Sequence, residues 1–130
     1  MPTPAGKQYA YNRTRQAYLA TTLAVADTHW SRLRGLMAKE QKDFPEGSGL
    51  WIVPCRGVHT FLMRFPIDVV YLDAQQAVVH LEEHLRPWRL APLRLSAASV
   101  VELPPGTIHD TRTGLGDIVD VGLTGREVKQ

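Results

Sequence analysis

The residue types best suited to chemistry cluster in one stretch, PCRGVHTFLMRFPIDVVYLD, at positions 54–73. It contains Cys55, the one cysteine of the chain, and His59. A thiol near an arginine can serve as a nucleophile or redox sensor, and an imidazole can carry a proton or bind a ligand. Each residue also has a structural interpretation, because a lone cysteine commonly packs as a small apolar residue and a core-edge histidine commonly bonds to backbone. The sequence favours the structural interpretation for both and leaves the chemical one open.

Four further polar residues surround this pair and could complete a site for a small polar or anionic ligand. Arg56 and Arg64 carry guanidinium groups, which suit carboxylates and phosphates. Asp68 follows a Phe-Pro-Ile turn, where we expect its carboxylate to accept backbone amides of the turn. Paired with an arginine or with His59, it could instead orient a catalytic group. The predicted ligand-binding candidates are Cys55, Arg56, His59, Thr60, Arg64 and Asp68.

Cys55, His59 and Met63 are spaced four residues apart and would share one face of a straight strand, as a soft-metal ligand set would. Strand residues four apart lie about 13 Å from each other, whereas ligands must lie within about 2.5 Å of a shared metal. The sequence therefore predicts neither a metal nor a cofactor.

Length and charge define the class of protein. A chain of 130 residues with 44% apolar residues can form one domain with its own core. A formal net charge of +2 is too small to predict binding to nucleic acid or to a membrane. The N-terminal stretch MPTPAGKQYAYNRTRQ has no apolar run, so we expect neither a secretion signal nor a membrane span, and a cytoplasmic protein. We predict a flexible segment at 1–11, a β-rich domain at 12–124 and a tail at 125–130.

The elements that must position these residues are mostly short strands. The stretch at 15–26 predicts one long strand or two short ones, and LWIV, VHTFLM, IDVVYLD, AVVHLEEHL, SVVELP and DIVDVGL predict others. An apolar stripe of Trp30, Leu33 and Met37 predicts an amphipathic helix at about 28–39. A short helical turn is predicted at about 107–113, and the prolines within 86–99 predict an edge segment or surface connection. The expected fold is mainly β, a single compact distorted sandwich or barrel of short, mostly antiparallel strands.

Four segments also carry a family resemblance. RLRGLM, PCRGVHTFLMRFPIDVVYLD, VVELPPGT and GLGDIVDV occur in an order and spacing similar to the small bacterial and archaeal domain of unknown function family 192, from about Leu23 to Val121. The resemblance implies a compact, mainly β domain with one helix across it. It implies no particular activity. His59 lies within the family's signature, which makes it the preferred histidine for a site.

Three classes of function agree with these observations. The first is a ligand-binding or interaction module whose concave face near residues 54–68 holds a small polar or anionic group. The second is a small hydrolase or thiol-dependent enzyme that uses His59, Asp68 and Cys55 in mutual contact. The third is a structural protein partner of a larger assembly, which an exposed apolar patch would indicate. The first is favoured over an enzyme, and the fold alone selects none of them.

Overall fold

The computed structural model describes residues 8–28 and 35–123. Its eight strands are β1 (Gln8–Asn12), β2 (Ala17–Ala20), β3 (Thr22–Ala26), β4 (Ser48–Ile52), β5 (Ile67–Leu72), β6 (Val78–Leu85), β7 (Ser99–Leu103) and β8 (Val119–Leu123). Among the described residues there is one α-helix, α1 (Thr107–Thr111), and one 3-10 turn (Gln41–Asp43). The prediction of a mainly β fold is confirmed, as is a short helix within 107–113.

The strands form two sheets. The larger has the order β3-β4-β7-β5-β6, and the smaller has the order β2-β1-β8. All pairings are antiparallel except β3 with β4, which run parallel. The stretch predicted as one or two strands at 15–26 forms two, β2 and β3, because the chain leaves the smaller sheet and enters the larger one near Thr21.

The two faces of the larger sheet are covered differently. Its central strands β7 and β5 are buried along their whole length, which explains their nearly continuous apolar sequences. Val101 and Leu103 of β7 pack with Leu19 and Val119 of the smaller sheet, and Ile108 of α1 joins that cluster. On the opposite face the apolar cluster is completed by residues from loops and turns: Leu36, Phe44, Met63, Phe65, Ala91 and Ala97. One face is therefore a sandwich of sheets, and the other is closed by connections.

A buried polar network ties β1 to the turn before β8. The Asn12 side-chain amide donates to Thr113 Oγ1 and to Asp117 Oδ2, both at 3.0 Å. Asp117 Oδ2 also accepts from Arg15 Nε at 3.0 Å and from the Gly114 amide at 2.8 Å. Burial alone would raise the pKa of Asp117, but these hydrogen bonds and the charge of Arg15 outweigh it and lower the pKa.

Two expectations about local structure, at residues 8–11 and in VHTFLM, require correction. Residues 8–11, predicted to be flexible, belong to β1, whose whole length pairs with β8. Residues 1–7 and the predicted tail at 125–130 lie outside the described residues. VHTFLM forms no strand: its one ladder contact is an isolated bridge between His59 and Leu90, and the chain turns at Leu62, which has a φ of 63°.

The predicted helix at 28–39 is described only at its ends, since residues 29–34 lie outside the described residues. Residues 35–38 form a turn instead of a helix. Gly35 and Ala38 have positive φ angles of 48° and 65°, which a right-handed helix does not contain. The Ala38 amide donates to the Leu62 carbonyl, so this turn is fastened to the loops that cover the larger sheet.

Candidate functional site

A pocket of about 450 Å³ lies between the larger sheet and the loops that cover it. Its lining is mostly apolar and includes Ile52 from β4, Met63 and Ala91 from the covering loops, and Leu36 from the turn at 35–38. Leu90 and Leu93 also line it and are 71% and 66% exposed, so they mark its mouth. This volume and this apolar lining are typical of sites for small molecules.

The base of the pocket carries a carboxyl group. Glu102 lines the pocket, and the residue is only 3% exposed. Its Oε1 atom is buried and has no hydrogen-bond partner among the described residues. Burial raises the pKa of Glu102 from 4.5 to about 8, so the group is mainly a neutral acid at pH 7. A neutral carboxyl both donates and accepts a hydrogen bond.

The strand pattern explains why this acid faces the pocket. Side chains alternate between the two faces of a strand, so Glu102 shares a face with Val100 and lies opposite Val101 and Leu103. Val100 belongs to the cluster on the loop-covered face, whereas Val101 and Leu103 belong to the other one. In register, Glu102 lies between Leu50 of β4 and Val69 of β5, both apolar and buried. Neither register neighbour on the sheet can partner its carboxyl group.

Gly35 leaves space beside the carboxyl group. A Cβ atom added at Gly35 would lie 3.9 Å from Glu102 Oε1, and Gly35 itself lines the pocket. Its positive φ also favours glycine at this position. The turn at 35–38 therefore brings Gly35, which has no side chain, next to the acid.

Two of the sequence-predicted residues, Cys55 and His59, line the same pocket. The Cys55 thiol donates to the Gly57 carbonyl at 2.9 Å. His59 Nδ1 accepts from the Phe61 amide at 3.2 Å, and its ring packs against the Phe61 ring with centroids 5.1 Å apart. His59 thus bonds to local backbone, as in its structural interpretation, and Cys55 packs against the apolar cluster on this face of the sheet in addition to its backbone hydrogen bond.

Thr60, Arg56 and Arg64 are not among the described residues that line this pocket. Thr60 is buried, and its hydroxyl donates to the Arg86 carbonyl and accepts the Arg89 amide, so it fastens two covering loops together. Arg56 is exposed and lines a separate depression of about 630 Å³ with Leu95 and Ser96. Arg64 is exposed and forms a salt bridge of 3.6 Å with Glu40.

Asp68 is fully buried and also stands apart from the pocket. Its Oδ1 accepts the His84 amide at 2.9 Å, and its Oδ2 accepts the amides of Gly106 and Ile108 at 3.1 and 2.9 Å. The carboxylate therefore accepts backbone amides, but they come from β6 and α1 instead of the adjoining turn. It holds α1 against the sheet and makes no described hydrogen bond with Cys55, His59 or an arginine side chain.

Glu102 was not among the site residues predicted from the sequence. In SVVELP it reads as one polar residue of a half-exposed strand, where an acid would face solvent. One signal was available. In a chain with many short apolar strands, this strand could be a central one, and an acid on a central strand buried on both faces has no side that faces solvent.

Comparisons with known proteins agree with the fold and indicate no activity. Residues 10–121 match the family model DUF192, described as Uncharacterized ACR, COG1430. A UPF0127 protein of Thermococcus sibiricus is 31% identical over 114 residues, which cover 84% of this chain and 71% of that protein.

Two solved bacterial structures share the architecture. A protein of unknown function from Novosphingobium aromaticivorans has a TM-score of 0.74 at 14% identity, with 92% of this chain and 91% of that chain covered. A Sinorhizobium meliloti protein, described provisionally as a transcription regulator, has a TM-score of 0.76 at 18% identity, with 93% and 96% covered. At these identities the likeness shows the fold alone. The match over 10–121 and the 31% identity to a UPF0127 protein place this chain in the DUF192 family, whose curated relatives are named UPF0127.

Proposed function

We propose that this protein binds a small, largely apolar molecule in the pocket and holds one neutral polar group of that molecule against Glu102. The observation that carries the proposal is the buried Glu102 Oε1 atom, which lacks a hydrogen-bond partner among the described residues. Leaving a buried polar atom unsatisfied costs about 1–3 kcal/mol, and a ligand that supplies the missing bond recovers that free energy. The apolar lining would hold the remainder of the ligand.

The charge of the site supports a neutral head group. No arginine or lysine is among the described residues that line the pocket, so an anionic ligand gains no ion pair from them. With its pKa near 8, Glu102 offers a donor and an acceptor at pH 7, which together match an amide, a carboxylic acid or an alcohol. This narrows the small polar or anionic ligand expected from the sequence to an amphiphilic molecule with an uncharged head.

The test is a binding screen with probes that share one tail and differ in the head. Medium-chain alkyl amides, alkanols, fatty acids and alkylamines should be titrated against the protein in NMR spectra, with the amides of Gly35, Met63 and Ala91 as reporters. At 100 times its dissociation constant a ligand adds about 2.7 kcal/mol to the free energy of unfolding, so thermal unfolding gives a second readout. We expect amides or alkanols to bind and to move these reporters.

The pH dependence of binding identifies the head group. A neutral head that needs protonated Glu102 should bind more weakly above a pH of about 8. An alkylamine that pairs with ionised Glu102 should instead bind more tightly as the pH rises toward that value. The variant Glu102→Leu keeps the pocket apolar but removes the polar partner. If every probe binds Glu102→Leu with the same affinity as it binds the wild type, or if the reporters do not respond, the proposed role of Glu102 is refuted.

We also propose a cytoplasmic location, which is supported by the cysteine content, since a single thiol forms no internal disulfide and suits a reducing compartment. Within the described residues no helix is long and apolar enough to cross a membrane. Fractionation of cells that express the protein, followed by an immunoblot of the soluble, membrane and secreted fractions, tests this location. Recovery mainly in the secreted fraction would contradict it.

A further inference from the structure

The loops around the pocket mouth carry most of the exposed apolar surface. Eight large apolar side chains are exposed among the described residues, and six of them lie in two segments, 54–64 and 86–97. We call these two segments the loop ribbon. Its six exposed apolar residues are Phe61, Leu62, Trp88, Leu90, Leu93 and Leu95. Exposed apolar residues that form one patch mark an interaction site.

Backbone hydrogen bonds hold the two segments of the loop ribbon side by side. The Arg94 amide donates to the Arg56 carbonyl, and the Thr60 amide donates to the Arg89 carbonyl, both at 2.9 Å. The Trp88 amide donates to the Thr60 carbonyl, and the Phe61 and Trp88 rings stack with centroids 5.9 Å apart. The exposed residues therefore belong to one surface and are not scattered over the molecule.

The charge of the loop ribbon has one sign. It contains five exposed arginines, Arg56, Arg64, Arg86, Arg89 and Arg94, and neither an aspartate nor a glutamate. Arg64 forms a salt bridge with Glu40, whereas the other four make no described salt bridge. The near-neutral charge of the whole chain thus conceals a local excess of positive charge next to exposed leucines and a tryptophan.

We infer that the loop ribbon docks on the surface of an anionic lipid bilayer. Leucine and tryptophan side chains enter the boundary between head groups and acyl chains, and arginines pair with anionic lipid phosphates beside them. The ribbon is made of loops, so it offers neither the free strand edge nor the helix groove by which many domains bind a peptide segment. Leu90 and Leu93 belong both to the ribbon and to the pocket mouth, so in the docked protein the mouth of the pocket would face the bilayer.

This inference goes beyond the proposed ligand site and departs from the sequence expectation of no membrane partner. Docking requires the exposed side chains and not Glu102, so the two proposals can fail separately. If Glu102→Leu loses probe binding but retains vesicle binding, the two roles are distinct. If vesicle binding fails while the probes still bind, only the docking inference falls.

The experiment is vesicle flotation of the whole protein at low salt. Vesicles of phosphatidylcholine mixed with phosphatidylglycerol are compared with vesicles of phosphatidylcholine alone. We expect the protein to float with the anionic vesicles only and to be released by high salt. Each arginine near the surface is worth about a fivefold change in partitioning, so the double variant Arg89→Gln, Arg94→Gln should lower it roughly 25-fold. Arg112→Gln, an exposed arginine outside the ribbon, is the matched control.

A second pair of variants tests the apolar side chains without altering the pocket lining. Leu95 is 77% exposed and is not among the described residues that line the pocket, so Leu95→Ser should weaken vesicle binding by roughly tenfold if it inserts fully. Leu115→Ser, at a residue 68% exposed outside the ribbon, should leave binding unchanged.

Three outcomes would overturn the inference. The first is equal binding to both kinds of vesicle, and the second is equal loss with Leu95→Ser and Leu115→Ser. The third is no vesicle binding together with a concentration-dependent dimer in ultracentrifugation that Leu95→Ser abolishes. That third result would assign the loop ribbon to a second copy of this chain.

Discussion

The buried acid predicts an unusual dependence of stability on pH. The pKa of Glu102 is about 8 in the folded protein, against 4.5 for an exposed glutamate. Between these values the folded state holds a proton that the unfolded state has lost. Stability contributed by the protonated form is complete below pH 4.5 and is lost as the pH rises through the folded pKa. This direction is opposite to that of an ordinary ion-paired carboxylate.

The magnitude follows from the width of that interval. The free energy of unfolding changes by 1.36 kcal/mol per pH unit for one proton. Over the interval from 4.5 to about 8, the loss amounts to roughly 5 kcal/mol. A typical domain has 5–15 kcal/mol in total, so the effect should be easily measured.

The assay is urea unfolding from pH 5 to pH 9 for the wild type and for Glu102→Gln. Glutamine has nearly the same shape but cannot ionise, so the difference between the two proteins isolates the titration of Glu102. We expect the difference to change steadily in favour of the variant until a pH of about 8 and then to level off. Glu83→Gln, at an exposed glutamate of β6, should run parallel to the wild type. Parallel curves for Glu102→Gln and the wild type would refute the assignment of a buried neutral acid.

Three further perturbations test the framework around the site. Asp68→Asn replaces a carboxylate that accepts three backbone amides with a side-chain amide whose nitrogen cannot accept a hydrogen bond. Urea unfolding at neutral pH should show that the free energy of unfolding falls by about 2–4 kcal/mol. A fall of less than about 1 kcal/mol would contradict this role. Gly49→Ala would place a Cβ 2.8 Å from the Ala20 Cβ, so thermal unfolding should show a loss of about 1–3 kcal/mol, whereas Gly114→Ala, whose Cβ has ordinary contacts, should lose less; equal losses would count against the close packing. Asp117→Asn should remove stability that is present above pH 3.8 and is lost as the pH falls through the lowered pKa, so the wild type and the variant should converge in acid denaturation; a constant difference between them would exclude this titration.

Most strands were predictable because each follows a pattern of residue types that lies within its own segment. Alternating or continuous apolar runs bounded by turn residues predicted β4 to β8 close to their observed positions. β1 was not predictable in this way, because its sequence QYAYN is short and follows directly on a segment rich in proline and small residues. Its order comes from pairing with β8, more than a hundred residues away in sequence. Pairing between distant segments cannot be detected in the residue pattern of either segment alone.

The site was predictable only in part for the same reason. Cys55 and His59 drew attention by residue type, and both line the pocket. The acceptor role of Asp68 was foreseen, but its donors lie 16 to 40 residues away along the chain. The loop ribbon joins arginines and leucines from two segments that are about 30 residues apart. Neither segment alone shows the patch, because a loop with exposed apolar residues reads as a connection.

The position of Glu102 argues for function more strongly than its residue type does. A central strand buried on both faces is the place where a carboxyl group costs most, and an apolar residue there would pack against Leu50 and Val69 without an unsatisfied atom. Natural proteins place a residue against such packing rules mainly at functional or strained sites. The neighbouring loops strengthen the argument, since they leave a pocket of about 450 Å³ over this face of the sheet, and the exposed Leu90 and Leu93 line its mouth. A solely structural protein would be more stable with leucine at position 102. Ligand binding would offset the stability that Glu102 costs, and its loss in Glu102→Leu would show this gain.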